Sequence, residues 1–175
     1  QRHTGRDIAW AGGDLNGNNL VNDKVLESIN LFPSVNLVYN ALEKMNLRAS
    51  YSRTVARPSF KELSYAQILD PITGRTFNGS LFAYSSIVEG QQVVTWDGNL
   101  TETDIDNVDF RWEWFLNSKA QFFSVSGFFK NFTNPIELVR IPAQQTTPEY
   151  QARNVGTGRV FGGEFELRKN FDFIT

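Results

Sequence analysis

MNLRASYSRTVARPSF, residues 45–60, alternates. Met45, Leu47, Ala49, Tyr51 and Val55 are apolar, and Asn46, Arg48, Ser50, Ser52 and Thr54 between them are polar. Successive side chains of a strand point to opposite faces, so the stretch predicts a strand over 45–56 with one greasy side. Arg53 interrupts it, because it is charged and falls on the apolar side. The fold has to supply a surface that is apolar for four steps and then takes a cation.

The same period recurs elsewhere. Over 29–40 the odd positions carry Ile29, Leu31, Pro33, Val35, Leu37 and Tyr39, and over 105–116 Val108, Phe110, Trp112 and Trp114 alternate with Asp109, Arg111 and Glu113. Over 121–132 Phe123, Val125, Gly127 and Phe129 alternate with Ser124, Ser126 and Lys130. Over 159–170 Phe161, Gly163, Phe165 and Leu167 alternate with Gly162, Glu164, Glu166 and Arg168. Each predicts a strand with one apolar and one polar face, and no comparable segment has helical spacing.

The connections alternate as well. Tight turns join the first strand to the second and the third to the fourth, whereas 1–28, 57–104 and 133–158 are long, polar loops. Loops of that length are uncommon in compact soluble domains. Short turns at one end and long loops at the other are the layout of an outer-membrane β-barrel. The expected fold is therefore all-β: antiparallel up-and-down strands forming part of a large transmembrane barrel, in one partial barrel domain over 1–175.

Composition narrows the alternatives. With 17 basic and 19 acidic residues the net charge is −2, which provides no basic stripe for nucleic acid. There is no cysteine, hence neither a disulfide framework nor a thiolate metal site. The single histidine, His3, is expected in a frayed terminus rather than in a catalytic role. Aromatics reach 14% of the chain, with 15 Phe, yet no run approaches the ~20 apolar residues of a membrane helix. The first residue is Gln, so the chain reads as a piece of a longer protein.

A soluble sandwich also alternates, so aromatic placement and height decide. Tyr39, Trp112, Trp114, Phe171 and Phe173 sit at strand ends near the tight turns, where an inner aromatic girdle belongs. From Met45 to Arg53 is about 26 Å along a strand at ~3.3 Å per residue, or ~20 Å of rise at the usual tilt, against an apolar band ~25 Å tall. Arg53 is therefore expected outside the barrel, level with the outer girdle, its guanidinium meeting anionic lipid head groups. The competing reading is an arginine salt-bridged across the sheet of a soluble domain.

Three sets of residues are candidate sites. In DLNGNNLVND, residues 14–23, Asp14, Asn16, Asn18, Leu20 (through its carbonyl) and Asn22 have the oxygen spacing of a calcium loop over 14–25. Asn19 replaces the usual glycine and Val25 the usual acid, and a plain Gly/Asn-rich surface loop explains the stretch equally well. In the long loop, Tyr65, Phe77, Phe82, Tyr84 and Trp96, with Asp97, suit stacking on a sugar ring or a hydrophobic chelate, or else pack the loop against itself. Arg48, Arg111, Glu113, Glu164, Glu166 and Arg168 fall on the polar face, to line a path or to pair with one another. No nucleophile–base pair and no paired loop acids point to an enzyme.

FPSVNLVYNALEKMNLRASYSRTVARPSFKEL (32–63), DGNLTETDIDNVDFRWEWF (97–115), FFSVSGFFKNFTNPIEL (122–138) and NVGTGRVFGGEFELRKNFDF (154–173) together resemble the barrel of TonB-dependent outer-membrane receptors, particularly those of Bacteroidetes-type bacteria. The resemblance implies a barrel of about 22 strands in the outer membrane, with the plug domain absent from this chain. It implies active uptake of an iron chelate, cobalamin, a glycan or a peptide. Its implied partners are outer-membrane lipid, the remaining strands and N-terminal plug, TonB, and a surface lipoprotein. A passive porin or adhesion barrel and a soluble carbohydrate-binding β-sandwich remain as alternatives. The sandwich requires the faces of Val108–Trp114 and Phe123–Phe129 to pack against one another.

Overall fold

The computed structural model describes residues 2–6, 19–116, 121–141 and 148–170. Its strands are β1 (Arg2–Arg6), β2 (Asn19–Lys24), β3 (Ser34–Leu42), β4 (Met45–Ala56), β5 (Gln67–Leu69), β6 (Thr76–Asn78) and β7 (Tyr84–Val88). They continue as β8 (Gln91–Trp96), β9 (Thr103–Phe115), β10 (Phe122–Thr133), β11 (Ile136–Ile141), β12 (Glu149–Asn154) and β13 (Thr157–Arg168). The described residues contain no helix. The chain divides into a sheet unit (Asn30–Val55, Asp104–Thr133 and Thr157–Thr175) and a connection unit (Gln1–Ile29, Ala56–Thr103 and Asn134–Gly156).

The sheet unit is one five-stranded sheet in the order β13-β10-β9-β4-β3. With the strands of the connection unit left out, that is chain order, so the sheet is an up-and-down meander without a crossover. Val35 opposes Tyr51, Val108 opposes Phe129, and Val125 lies between Trp112 and Phe165. The alternation therefore gathers Leu37, Tyr39, Phe110, Trp114, Phe161 and Phe165 onto one face, and that face is bare, with Phe161 79% exposed. Glu113 and Ser124, both buried, lie on the opposite, polar face. Such a face, exposed and apolar across five strands, is the reverse of a soluble domain.

Two expectations are corrected here. The faces of Val108–Trp114 and Phe123–Phe129 cannot oppose each other as sandwich layers, because β9 and β10 are hydrogen-bonded neighbours in one sheet. The strand expected over 29–40, β3, begins at Ser34, not at 29, and Ile29 is 96% exposed. Proline has no N–H for a ladder, and Pro33 closes this one by accepting the Arg53 N–H at 3.0 Å.

The connection unit is more ordered than a set of polar loops. It holds a four-stranded sheet, β11-β12-β6-β5, in which β12 and β6 run parallel, and the hairpins β1-β2 and β7-β8. Its core is Leu63, Leu100 and Ala152, with Val25, Leu26, Trp96 and Ile136 packed against it. Asn154 clasps its segments together. Its Oδ1 accepts from the Thr101 N–H at 2.7 Å and from the Thr101 hydroxyl at 3.1 Å, while its Nδ2 donates to the carbonyls of Thr101 at 3.0 Å and Asn134 at 2.8 Å. Asn154→Ala leaves these groups without their partner at a cost of about 2–3 kcal/mol. The expected result is faster hydrogen exchange at the Thr101 amide in the full-length protein.

Candidate functional site

The polar face of the sheet carries a line of alternating charge. Arg48 Nε donates to Glu113 Oε2 at 3.1 Å, and Arg111 Nε donates to Glu113 Oε1 at 2.9 Å. Arg111 Nη2 donates to Glu166 Oε2 at 3.1 Å, and Arg168 lies 3.4 Å from Glu166 Oε1. The line runs from β4 through β9 to β13 and has to cross β10. Strands are ~4.8 Å apart, so the crossing spans ~10 Å. It is possible because β10 presents Ser124, 1% exposed, between Glu113 and Glu166. A groove of about 430 Å³ beside the line includes Asn36, Ser50, Asp109 and Glu164 in its wall. Of the residues read from the sequence as lumen-facing, Arg48, Arg111, Glu113, Glu166 and Arg168 pair with one another, and Glu164 lines the groove.

On the apolar face Arg53 does not reach out freely. Its Nε and Nη2 donate to the two carboxylate oxygens of Asp106, at 2.8 and 3.0 Å, and the Tyr51 hydroxyl donates to the same carboxylate at 2.8 Å. The bidentate pair occupies the guanidinium expected to meet lipid head groups, so the cross-sheet salt bridge is the contact formed. Asn131 and then Arg159 continue that row from Asp106. Near the tight turns, Trp112 meets Trp114 at 6.1 Å and Phe123 at 5.5 Å, and Phe123 meets Phe165 at 4.8 Å. Phe171 and Phe173 lie outside the described residues.

Most of the predicted loop aromatics have partners within the connection unit. Tyr65 meets Phe82 edge-on at 5.3 Å, and Phe77 stacks on Tyr150 at 5.8 Å, with Arg75 over the Tyr150 ring at the same distance. Trp96 Nε1 donates to the Ser80 carbonyl at 2.7 Å. The carboxylate of Asp97 accepts from the Asn99 N–H at 3.0 Å, which closes a local turn.

Tyr84 and Trp96 converge on a residue the sequence reading passed over. The Arg153 guanidinium lies 5.4 Å from the Tyr84 ring and 5.5 Å from the Trp96 ring. Around it, Gln151 accepts from Arg153 Nε at 2.8 Å and donates to the carbonyls of Gly79 and Phe82, both at 2.8 Å. Asn78 Nδ2 donates to the Tyr84 oxygen at 2.8 Å and to Glu149 at 3.1 Å. Burial, and then the nearby Glu149 carboxylate, push the Tyr84 phenol up. Burial pushes the Arg153 guanidinium down. The available signal was the alternation of Glu149, Gln151 and Arg153 with Tyr150 and Ala152.

Asp14, Asn16 and Asn18 lie outside the described residues, while Leu20 and Asn22 belong to β2. His3 lies in β1, in register with Asp23. Among the described residues no group of three His, Cys, Asp or Glu is placed to hold a metal. No described helix is long and apolar enough to cross a membrane, a statement that does not bear on β-barrels.

A meander with a bare apolar face and an ion-paired polar face is a segment of a barrel-type sheet. The sequence matches the family described as TonB dependent receptor-like, beta-barrel, over residues 9–175, and the chain belongs to that family. The family is one of receptors and transporters of the Gram-negative outer membrane. Among solved structures, the chain is similar to the siderophore receptor PirA from Pseudomonas aeruginosa, with 16% identity, a TM-score of 0.59, and coverage of 79% of this chain and 24% of that one. It is also similar to the ferric enterobactin receptor PfeA, with 18% identity, a TM-score of 0.55, and coverage of 79% and 20%. At these identities the likeness is one of fold, and the chain spans about a fifth to a quarter of those proteins. No curated protein matches the sequence.

Proposed function

We propose that this chain is the strand-and-loop segment of an outer-membrane receptor that imports a nutrient ligand with energy delivered through TonB. The observation that carries the reading is the pair of faces on one meander, apolar and bare on one side, polar and cross-linked by charge on the other. Such a sheet suits a barrel wall, with lipid against the apolar face and the plug and remaining strands completing the protein. An iron chelate is the ligand favoured over cobalamin, a glycan or a peptide, because the similar structures are receptors for siderophores. The aromatic and cationic side chains of the connection unit suit an anionic chelate whose ligand arms carry flat rings. A surface lipoprotein is a further partner to be sought.

The test is uptake of radioactive iron, supplied as a siderophore complex, by cells carrying the full-length gene. Uptake is expected to fall to background when either the gene or TonB is deleted. Uptake that survives loss of TonB would identify a passive pore.

A further inference from the structure

The four-stranded sheet of the connection unit has a groove across one face. Leu138 of β11 is in register with Ala152 of β12, Tyr150 of β12 with Phe77 of β6, and Phe77 with Ile68 of β5. Register partners share a face, as do residues two apart on a strand. Leu138, Ala152, Phe77 and Ile68 therefore form one apolar row across all four strands, ~14 Å long at ~4.8 Å per strand. A cavity of about 330 Å³ lies on that row, and Lys61, Glu62 and Ala66, from the segment leading into β5, are also in its wall. It is open to solvent at the two edges of the sheet, where Leu138 is 61% and Ile68 38% exposed.

The polar side chains of the lining are already bonded, with one exception. Ser59 donates its N–H and its hydroxyl to Glu62 Oε2, at 2.7 and 2.9 Å. Asn78 Oδ1 accepts from Gln67 Nε2 at 2.9 Å, and Asn78 Nδ2 is engaged with Tyr84 and Glu149. Lys61 is exposed, and none of the described carboxylates forms an ion pair with it. The groove thus offers an occupant apolar contact and a single cation. A sugar or a peptide leaving water needs many polar partners, and among the described side chains of the lining it would find only the Lys61 ammonium. A hydrocarbon chain ending in one carboxylate needs no other. A water takes ~30 Å³ in the liquid and a methylene nearly as much, so a chain of about ten carbons fills the cavity.

We propose that this groove is a binding site for a free medium-chain fatty acid, its chain lying across Leu138, Ala152, Phe77 and Ile68 and its carboxylate beside Lys61. The site is built from residues of the connection unit alone. It gives the receptor a second class of ligand, an amphiphile, beside the chelate of the uptake reading, and it does not rest on that reading.

The experiment uses the full-length receptor in detergent-free nanodiscs, because a detergent tail would compete for the groove, with empty nanodiscs as the blank. Calorimetric titration with hexanoate, octanoate, decanoate and dodecanoate is expected to show a gain of about threefold to fourfold per methylene up to decanoate. Dodecanoate should add nothing further, since the groove is then full. Leu138→Asp, which sets a carboxylate at the exposed end of the row, should weaken decanoate by about tenfold or more, and Ala66→Phe, which fills the groove, by as much. Lys61→Gln should weaken decanoate about threefold, the worth of an exposed ion pair, and leave decan-1-ol within about twofold. Binding no greater than that of empty nanodiscs, or affinity that climbs as steeply from decanoate to dodecanoate as before, would overturn the proposal. So would wild-type affinity for decanoate in both Leu138→Asp and Ala66→Phe, or a parallel loss of decanoate and decan-1-ol in Lys61→Gln. The chain-length series is read on the wild-type receptor, so it decides even where a variant fails to fold.

Discussion

Full-length receptor carrying Val125→Arg is expected to lose about 2–4 kcal/mol of barrel stability, the cost of a cation on the lipid face near the bilayer midplane. Val125 lies in the middle of β10, between Trp112 and Phe165, on the bare apolar face. Asn131→Arg, on the same strand and the same face, is the comparison. It lies six residues further on, ~20 Å at ~3.3 Å per residue, in the row of Asp106 and Arg159. There a cation should cost about 0–1 kcal/mol, as near a membrane interface. Asn36→Arg, on the polar face in the wall of the groove, should be similarly mild. Heat-modified gel mobility after refolding into liposomes reads the folded fraction of each. A cost that does not change between 125 and 131 would mean that the apolar face is covered by protein rather than by lipid.

That comparison turns the interruption at Arg53 into a measured boundary. The period-2 pattern placed Arg53 on the apolar face but could not supply its partner, because a cross-strand contact depends on register. A second interruption was nevertheless present. Asp106 precedes Val108, Phe110, Trp112 and Trp114 in the β9 alternation as Arg53 follows Leu47, Ala49 and Tyr51 in that of β4. Two breaks of opposite charge at matching ends of antiparallel strands are a register signal. Their pairing allows the row to remain polar without exposing a lone cation. Ser124 is a comparable case. Its small size was visible, but its use, to let Arg111 reach Glu166 across a strand, becomes apparent only with β10 set between β9 and β13.

The connection unit was much less legible, for a physical reason. β5 and β6 are three residues each, too short for any period to show. β6 pairs in parallel with β12, joining Asn78 to Gln151 across most of the intervening chain. Such pairing is set by tertiary packing and leaves no local pattern. The aromatics of 57–104 were visible, but Tyr150 and Arg153, which meet the rings of Phe77 and Tyr84, and Gln151, which donates to the Phe82 carbonyl, come from the other long connection. Aromatics read from one loop alone could not show the residues of the other that meet them.

Gly79→Ala is expected to collapse the connection unit and spare the sheet. A Cβ at position 79 would stand 1.9 Å from the Ser64 carbonyl oxygen, inside any tolerable contact. Neither side can yield cheaply. The Gly79 N–H donates to Ala66 O at 2.8 Å, its neighbour Ser80 donates to Glu62 O at 2.7 Å, and the Gly79 carbonyl accepts from Gln151. The opposing turn is fixed by the Ser59 and Glu62 side chains, where the Ser59 N–H donates to Glu62 Oε2 at 2.7 Å. It is fixed further by Ser64, whose hydroxyl donates to the Lys61 carbonyl at 2.6 Å and accepts from the Ala66 N–H at 3.1 Å. Relieving the clash means breaking several of these bonds and drawing Leu63 out of the core, a cost of about 3 kcal/mol or more when overpacking and lost hydrogen bonds combine. The sheet contributes none of them. The variant should therefore still reach the outer membrane as a heat-modifiable barrel, while proteases cut within 56–103 and ligand binding disappears. A variant that also fails to form the barrel would mean that the connection unit is needed for the strands to assemble, and that the two units fold as one.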